Sequence, residues 1–177
     1  MSQSAPDRLD VVRDFVNTYD LESEDETLAT PAALTAWLGE HGLGSPKATA
    51  SDLRHAVELR EALRAVLLGH NGQELDPAAP RVLDAAAERA RLSVAFDDAG
   101  AVRLQPRAAG VDGALGGVLA AVVDAERDGS WPRLKACAAS TCHWAFYDAS
   151  RNRSGTWCDM KVCGNRHKVQ AFRARRS

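Results

Sequence analysis

All four cysteines of this 177-residue chain lie in its last third, in the order Cys137-x4-Cys142-x15-Cys158-x4-Cys163. Two equally spaced pairs joined by a short loop are what a tetrahedral zinc site requires. Each pair makes a knuckle carrying two thiolates, and the loop turns the knuckles face to face. A segment of about 45 residues is below the size at which an apolar core alone suffices. A bound structural zinc contributes on the order of 10–16 kcal/mol in finger peptides. The spacing therefore points to a structural Zn(2+) held by Cys137, Cys142, Cys158 and Cys163. Buried unligated thiols or a redox pair are the alternatives. His143 and His167 could each replace a thiolate, but four sulfurs already close the tetrahedron, which leaves surface or outer positions for both. A closed site has no open position for water or substrate, so a catalytic metal is not expected.

Charge divides along the chain at the same place. Residues 131–177 carry ten Lys and Arg against Asp148 and Asp159, a net +8, while the first 130 residues hold 12 basic against 22 acidic side chains, a net −10. The overall charge of −2 hides this split. It describes an acidic body and a tail that faces a polyanion. The expected nucleic-acid contacts are Arg151, Arg153, Lys161, Arg166, Lys168, Arg173, Arg175 and Arg176. After Cys158 a helix is expected from about Met160 to Ala174. Val162, Val169 and Phe172 share one stripe of it, flanked by Lys161, Lys168 and Arg175 on one edge and by Arg166 and Arg173 on the other. A solvated helix whose cations snorkel beside the stripe is the plainer reading. No apolar run approaches the ~20 residues of a membrane span, and the first ten residues lack the apolar core of a secretion signal. A cytoplasmic chain with reduced thiols and no membrane partner is expected, which favours zinc over disulfides.

Hydrophobic periodicity places helices over residues 8–21, from Thr30-Pro31 to near Gly42, from Thr49 or Ser51 to Gly69 or Gly72, from Asp76-Pro77 to near Arg91, and from Val111 to Asp128. Between the last two, Leu92, Val94 and Phe96 alternate, Asp97-Asp98-Ala99-Gly100 turns, and Val102 and Leu104 alternate again, the signature of a hairpin. Gly129-Ser130-Trp131-Pro132 is the natural boundary. The fold class is mainly α with a small β-hairpin in an N-terminal domain (residues 1–130), followed by a four-cysteine zinc module of hairpin knuckle plus helix (residues 131–177). Trp144, Phe146 and Tyr147 form a short alternating stretch at the first knuckle, either a miniature core or a base-stacking surface.

The finger carries a specific resemblance. Arg151-Asn152-Arg153-Ser154, then Trp157-Cys158-x-Met160-x-x-Cys163-Gly164-Asn165-Arg166-x-Lys168, resembles the CGNR zinc-finger family, named for its Cys-Gly-Asn-Arg tetrapeptide. In that family the finger follows an ABATE domain, described as a stress-induced transcription regulator. Asp14-Phe15-Val16-Asn17-Thr18 resembles its opening motif and Leu59-Arg60-Glu61-Ala62-Leu63-Arg64 its central helix. The departures are Thr156, where a basic residue is common, and Asp159, where a small polar one is usual.

These readings describe a bacterial regulator whose body senses a small-molecule effector or forms a homodimer, and whose finger contacts DNA in a stress response. Asn17 and Arg60 interrupt apolar helix faces and could line a ligand pocket. They could equally be buried hydrogen-bonded residues fixing helix register. His41, His55 and His70 are scattered and read as surface residues. No motif for a nucleophile, phosphate loop or paired carboxylates stands out, so no enzyme is expected. RNA, or a protein, is the alternative partner of the finger. A zinc-release redox switch is the alternative role of the thiolates.

Overall fold

The computed structural model describes residues 7–174, with side chains over 8–169. Arg175 and Arg176, and the side chains of Phe172 and Arg173, lie outside the described residues.

Five helices build the body: α1 (Asp7–Val16), α2 (Pro31–Glu40), α3 (Ala50–His70), α4 (Ala79–Ala90) and α5 (Gly110–Arg127). Their starts follow local chemistry. The Thr30 hydroxyl accepts the Ala33 amide ahead of Pro31. Thr49 and Asp52 exchange hydrogen bonds in a capping box that opens α3. The first helix is shorter than the apolar spacing of residues 8–21 suggests. Thr18 Oγ1 bonds back to the Phe15 carbonyl at 2.8 Å and ends the helix. Tyr19 then enters a two-residue strand, β1 (Tyr19–Asp20), paired with β2 (Asp25–Glu26).

One apolar core joins these helices. Leu9, Val12, Phe15 and Val16 of α1 meet Leu34, Trp37 and Leu38 of α2, Leu59, Leu63 and Leu67 of α3, and Val111, Leu115 and Val118 of α5. The expected hairpin is present as β3 (Ser93–Phe96) and β4 (Val102–Gln105), antiparallel, against α5. A second hairpin, β5 (Leu134–Ala136) and β6 (Ala145–Tyr147), frames the first cysteine pair. Leu134, Ala136 and Ala145 belong to the same core as the helices. Between α5 and β5, Trp131 is buried and stands edge-on to His70, ring centroids 5.0 Å apart. A wide turn over Met160–Gly164 leads into α6 (Asn165–Ala174).

The glycine pair inside α5 does not break the helix, and Gly116 shows why it is there. A Cβ on Gly116 would lie 2.7 Å from Ala90 Cβ and 2.8 Å from Pro106 Cβ. The missing side chain is what lets α5 pass against α4 and the end of β4. Gly→Ala inside a helix ordinarily stabilises by up to ~1 kcal/mol. Gly116→Ala is expected to reverse that sign and cost about 1–3 kcal/mol by overpacking, measured as a lower urea midpoint at unchanged m-value.

Candidate metal centre and the basic finger

The four Cys Sγ atoms all lie within 4.8 Å of one another. Cys142 Sγ is 3.6 Å from Cys158 Sγ, which is 3.8 Å from Cys163 Sγ. A tetrahedron with Zn–S bonds of about 2.3 Å has edges of about 3.8 Å, so the Cys142–Cys158 and Cys158–Cys163 pairs stand at the spacing zinc requires and the remaining sulfurs lie within 4.8 Å. Disulfide bonding is absent among them. Neither His143 nor His167 joins the cluster. The His143 carbonyl instead accepts from Arg64 Nη1 at 3.1 Å, and the His167 ring lies against Trp157 at 4.8 Å.

Four thiols this close cannot all ionise without a cation. Hydrogen bonds from Cys142 and Cys158, together with backbone N–H groups, hold Cys137 down at about 2. Cys142 is pushed up to about 12 by its neighbour Cys137, Cys158 is pushed up by Cys137 and Cys142, and burial raises Cys163. A divalent metal at the centre reverses this, because it binds thiolates and releases their protons.

Local geometry delivers each pair. Cys137 N donates to Trp144 O and Cys142 N to Ala139 O, closing the first knuckle at the tip of the β5–β6 hairpin. His143 follows with a positive φ of 50°. For the second knuckle, Asp159 Oδ1 accepts the amides of Lys161 and Val162 at 2.6 and 3.1 Å. Asp159, one of the two departures from the family pattern, is thus the cap of the turn carrying Cys163. Gly164 is packed, since a Cβ there would run into Met160 Sδ and lie 3.2 Å from Trp157 Cδ1. Asn165 Nδ2 bonds the Lys161 carbonyl at 2.9 Å and closes the same turn.

The path between the knuckles is fixed by a buried ion pair. Lys135 Nζ, on β5, reaches Asp148 Oδ2 at 2.7 Å and the carbonyls of Arg153 and Gly155 at 2.7 and 3.0 Å. Asp148 also accepts the Ser150 and Gly155 amides. A Cβ on Gly155 would sit 2.7 Å from Asp148 Oδ1, so this loop position has room only for glycine. Burial works against the Asp148 carboxylate, but Lys135 and the loop donors outweigh it and hold it at about 2.

Body residues brace the finger. Asn17 turns its amide onto the edge of β6, donating to Ala145 O at 3.0 Å and accepting Ala145 N at 2.7 Å. Asn71 Nδ2 donates to Ala136 O and Thr156 O, both at 2.8 Å. His70, expected on the surface, is half-buried, with Nδ1 2.8 Å from the Leu134 carbonyl. Burial lowers its pKa, so the neutral ring donates there. Arg60 does not face Asn17. It pairs with Glu26 at 2.7 Å and Glu61 at 2.8 Å and donates to Thr18. The two residues proposed to line a ligand pocket are thus each occupied by protein groups, in two separate networks.

Arg151, Arg153, Lys161, Arg166 and Lys168 are all exposed. The first two sit on the loop between the knuckles, the others on the wide turn and α6. Arg166 meets neither Asp148 nor Asp159. It forms an exposed 2.7 Å pair with Glu22 of the β1–β2 loop, and nothing in the local sequence marked Glu22. Val162 and Val169, the two described positions of the expected apolar stripe, are exposed. The three aromatic residues of the first knuckle separate. Tyr147 packs on the main core, Phe146 on the cysteine cluster, and Trp144 stays 36% exposed. Trp144, Phe146, Trp157, Met160 and Lys161 line a cleft of about 820 Å³ together with Arg13, which α1 contributes from the far end of the sequence.

Residues 9–140 match the family model described as "Putative stress-induced transcription regulator", ABATE. The chain belongs to the ABATE family. Residues 133–176 match the model of the CGNR zinc finger. The two matches overlap on β5 and Cys137, the segment that packs into the ABATE core while supplying the first ligand. No curated protein matches the chain. No helix among the described residues is long and apolar enough to cross a membrane.

Two expectations follow. Zinc is expected to bind at about one ion per chain, and Cys163→Ala to abolish stoichiometric binding, read by a chromophoric chelator; chelation should disorder the finger while α1 to α5 keep their circular dichroism. Lys135→Met leaves Asp148 buried and unpaired and is expected to cost about 3–5 kcal/mol at pH 7. A depressed carboxylate contributes stability above its unfolded value of about 3.9 and loses it as pH falls toward its folded value. The difference between wild type and Lys135→Met should therefore shrink between about pH 4 and pH 2 in urea titrations.

Proposed function

We propose that this ABATE protein is a cytoplasmic, non-enzymatic transcription regulator whose structural zinc holds a basic finger that contacts DNA. The observation that carries the reading is the set of five described cations, Arg151, Arg153, Lys161, Arg166 and Lys168, all exposed on a module whose last acid is Asp159. Four clustered sulfurs leave the metal no open position, which supports a folding role over a catalytic one. The family descriptions support regulation. Arg166 suits phosphate because its partner Glu22 is an exposed carboxylate that a phosphate can replace, and a guanidinium can grip phosphate with two N–H groups.

A second reading comes from Trp144. An exposed indole beside Lys161 in an open cleft suits an unstacked base, so single-stranded RNA is the competing ligand.

The test is titration of the zinc-loaded chain into a labelled duplex at several salt concentrations. With five or six phosphate contacts, log K should fall against log salt with a slope near −5. Lys161→Gln with Lys168→Gln should flatten that slope by about 2 and weaken all sequences alike. Absence of binding above background at low salt would remove the DNA reading, and stronger competition by single-stranded RNA would replace it with the second.

A further inference from the structure

The β1–β2 hairpin carries five carboxylates within Asp20–Glu26, and three of them build its own shape. Asp20 Oδ1 accepts the Glu22 amide at 2.8 Å, and Asp25 Oδ2 accepts the Ser23 hydroxyl at 3.1 Å. Glu26 Oε1 accepts the Leu28 amide at 2.8 Å and Arg60 Nη1 at 2.7 Å. Arg60 is only 3% exposed, donates also to Thr18, and has its guanidinium carbon 5.3 Å from the Tyr19 ring centroid. The base of the hairpin is thus pinned to α3. At its tip Glu24 takes a left-handed φ of 60° and closes the turn. Glu22 enters none of these side-chain bonds. Its Oε1 lies instead 2.7 Å from Arg166 Nη2 on α6. Surface ion pairs are weak when two mobile side chains must be ordered to make them. Here the backbone is already fixed on both sides, by Arg60 under the hairpin and by the Asp159 and Asn165 bonds of the wide turn that leads into α6.

On the reading that the finger contacts DNA, we propose that Glu22 stands in for a backbone phosphate on Arg166. A guanidinium receives carboxylate and phosphate through the same N–H groups. A phosphate arriving at Nη2 therefore meets the charge of Glu22 as well as its hydrogen bond, and binds only after that carboxylate leaves. The hairpin is an internal competitor, built into the body and aimed at one cation of the finger. Arg151, Arg153, Lys161 and Lys168 are exposed and form no ion pair among the described residues, so Arg166 is the cation the body withholds. A state competent to bind that is populated only in part weakens apparent affinity by its fraction. For an exposed pair that factor is about two- to fivefold. The hairpin thus tunes binding and does not switch it off. It also gives Arg60 a task, since the buried guanidinium holds the strand that presents Glu22.

Titration of the full, zinc-loaded chain into a labelled random-sequence duplex at low salt tests it, run as a cycle of wild type, Glu22→Gln, Arg166→Gln and the double variant. Glu22→Gln is expected to tighten binding about two- to fivefold. Glu24→Gln makes an equal charge change on the same turn and should tighten it by less. Arg166→Gln should weaken binding, and adding Glu22→Gln to it should recover no more than Glu24→Gln does. Both partners are about half exposed, so circular dichroism and zinc content should stay unchanged. Equal gains from Glu22→Gln and Glu24→Gln, or a Glu22→Gln gain that survives the loss of Arg166, overturn the proposal and leave DNA contact standing. Weaker binding by Glu22→Gln overturns it too, because Glu22 would then position Arg166 for the phosphate. If wild type and Glu22→Gln both fail to bind, the DNA reading falls and the proposal falls with it. Binding by the variant alone supports the proposal in its strongest form.

Discussion

The finger's geometry depends on the buried Lys135–Asp148 pair. Lys135 sits on a strand whose neighbours Leu134 and Ala136 are part of the body's core, so its ammonium is anchored as firmly as the core itself. From there it gathers Asp148 and the carbonyls of Arg153 and Gly155, and Asp148 in turn gathers the amides of Ser150 and Gly155. A loop of polar residues that would otherwise sample many conformations is thereby tied down at both ends. Its far end is Trp157-Cys158. A metal can close a tetrahedron only if the second knuckle arrives at the right place, and this network helps to set that place. Desolvating a lysine and an aspartate is costly in itself. The cost is offset because every acceptor the ammonium needs is supplied by the loop it positions.

That anchoring makes the finger and the ABATE body mechanically continuous. Asn17 replaces a missing strand along the edge of β6, Asn71 reaches both the last residue of β5 and the approach to the second knuckle, and Arg64 holds the carbonyl after Cys142. Arg64 also binds the carbonyls of Val16 and Tyr19, which ties the end of α1 to the same guanidinium. Any ligand or partner that shifted α1 against α3 would therefore act on the first knuckle through hydrogen bonds and without an intervening linker. Sequence alone assigns this coupling to no residue, since Asn17 and Arg64 look like polar interruptions on apolar helices.

What could be read beforehand follows from how local each signal is. Thr30-Pro31, the Thr49 capping box and the cysteine spacing are short-range features, and the structure places helix starts and a sulfur cluster where those residues put them. Tyr19 was misplaced because its apolar spacing continues the helix, whereas Thr18 and Arg64 take the Phe15 and Val16 carbonyls that would have extended it. Asn17, just past the end of α1, and Arg60 on α3 serve different networks, and no periodicity separates a pocket lining from a strand brace 128 residues away. The Glu22–Arg166 pair and the reach of Arg13 into the cleft beside Trp144 are tertiary consequences of how α1 and the β1–β2 loop cross the finger.

The charge split has a consequence for how the two halves coexist. A −10 body and a +8 tail would be expected to collapse onto each other if attraction were the only force. The one ion pair described between the acidic loops and α6 is Glu22 with Arg166, and both partners are about half exposed. Salt screens such a pair within about 8 Å at physiological ionic strength. The polar contacts that join finger to body elsewhere are buried and largely use backbone groups, so they are indifferent to salt. Structural attachment and electrostatic attraction are therefore carried by different residues. This leaves the described cations Arg151, Arg153, Lys161 and Lys168 exposed while the module that bears them is held to the body by other contacts.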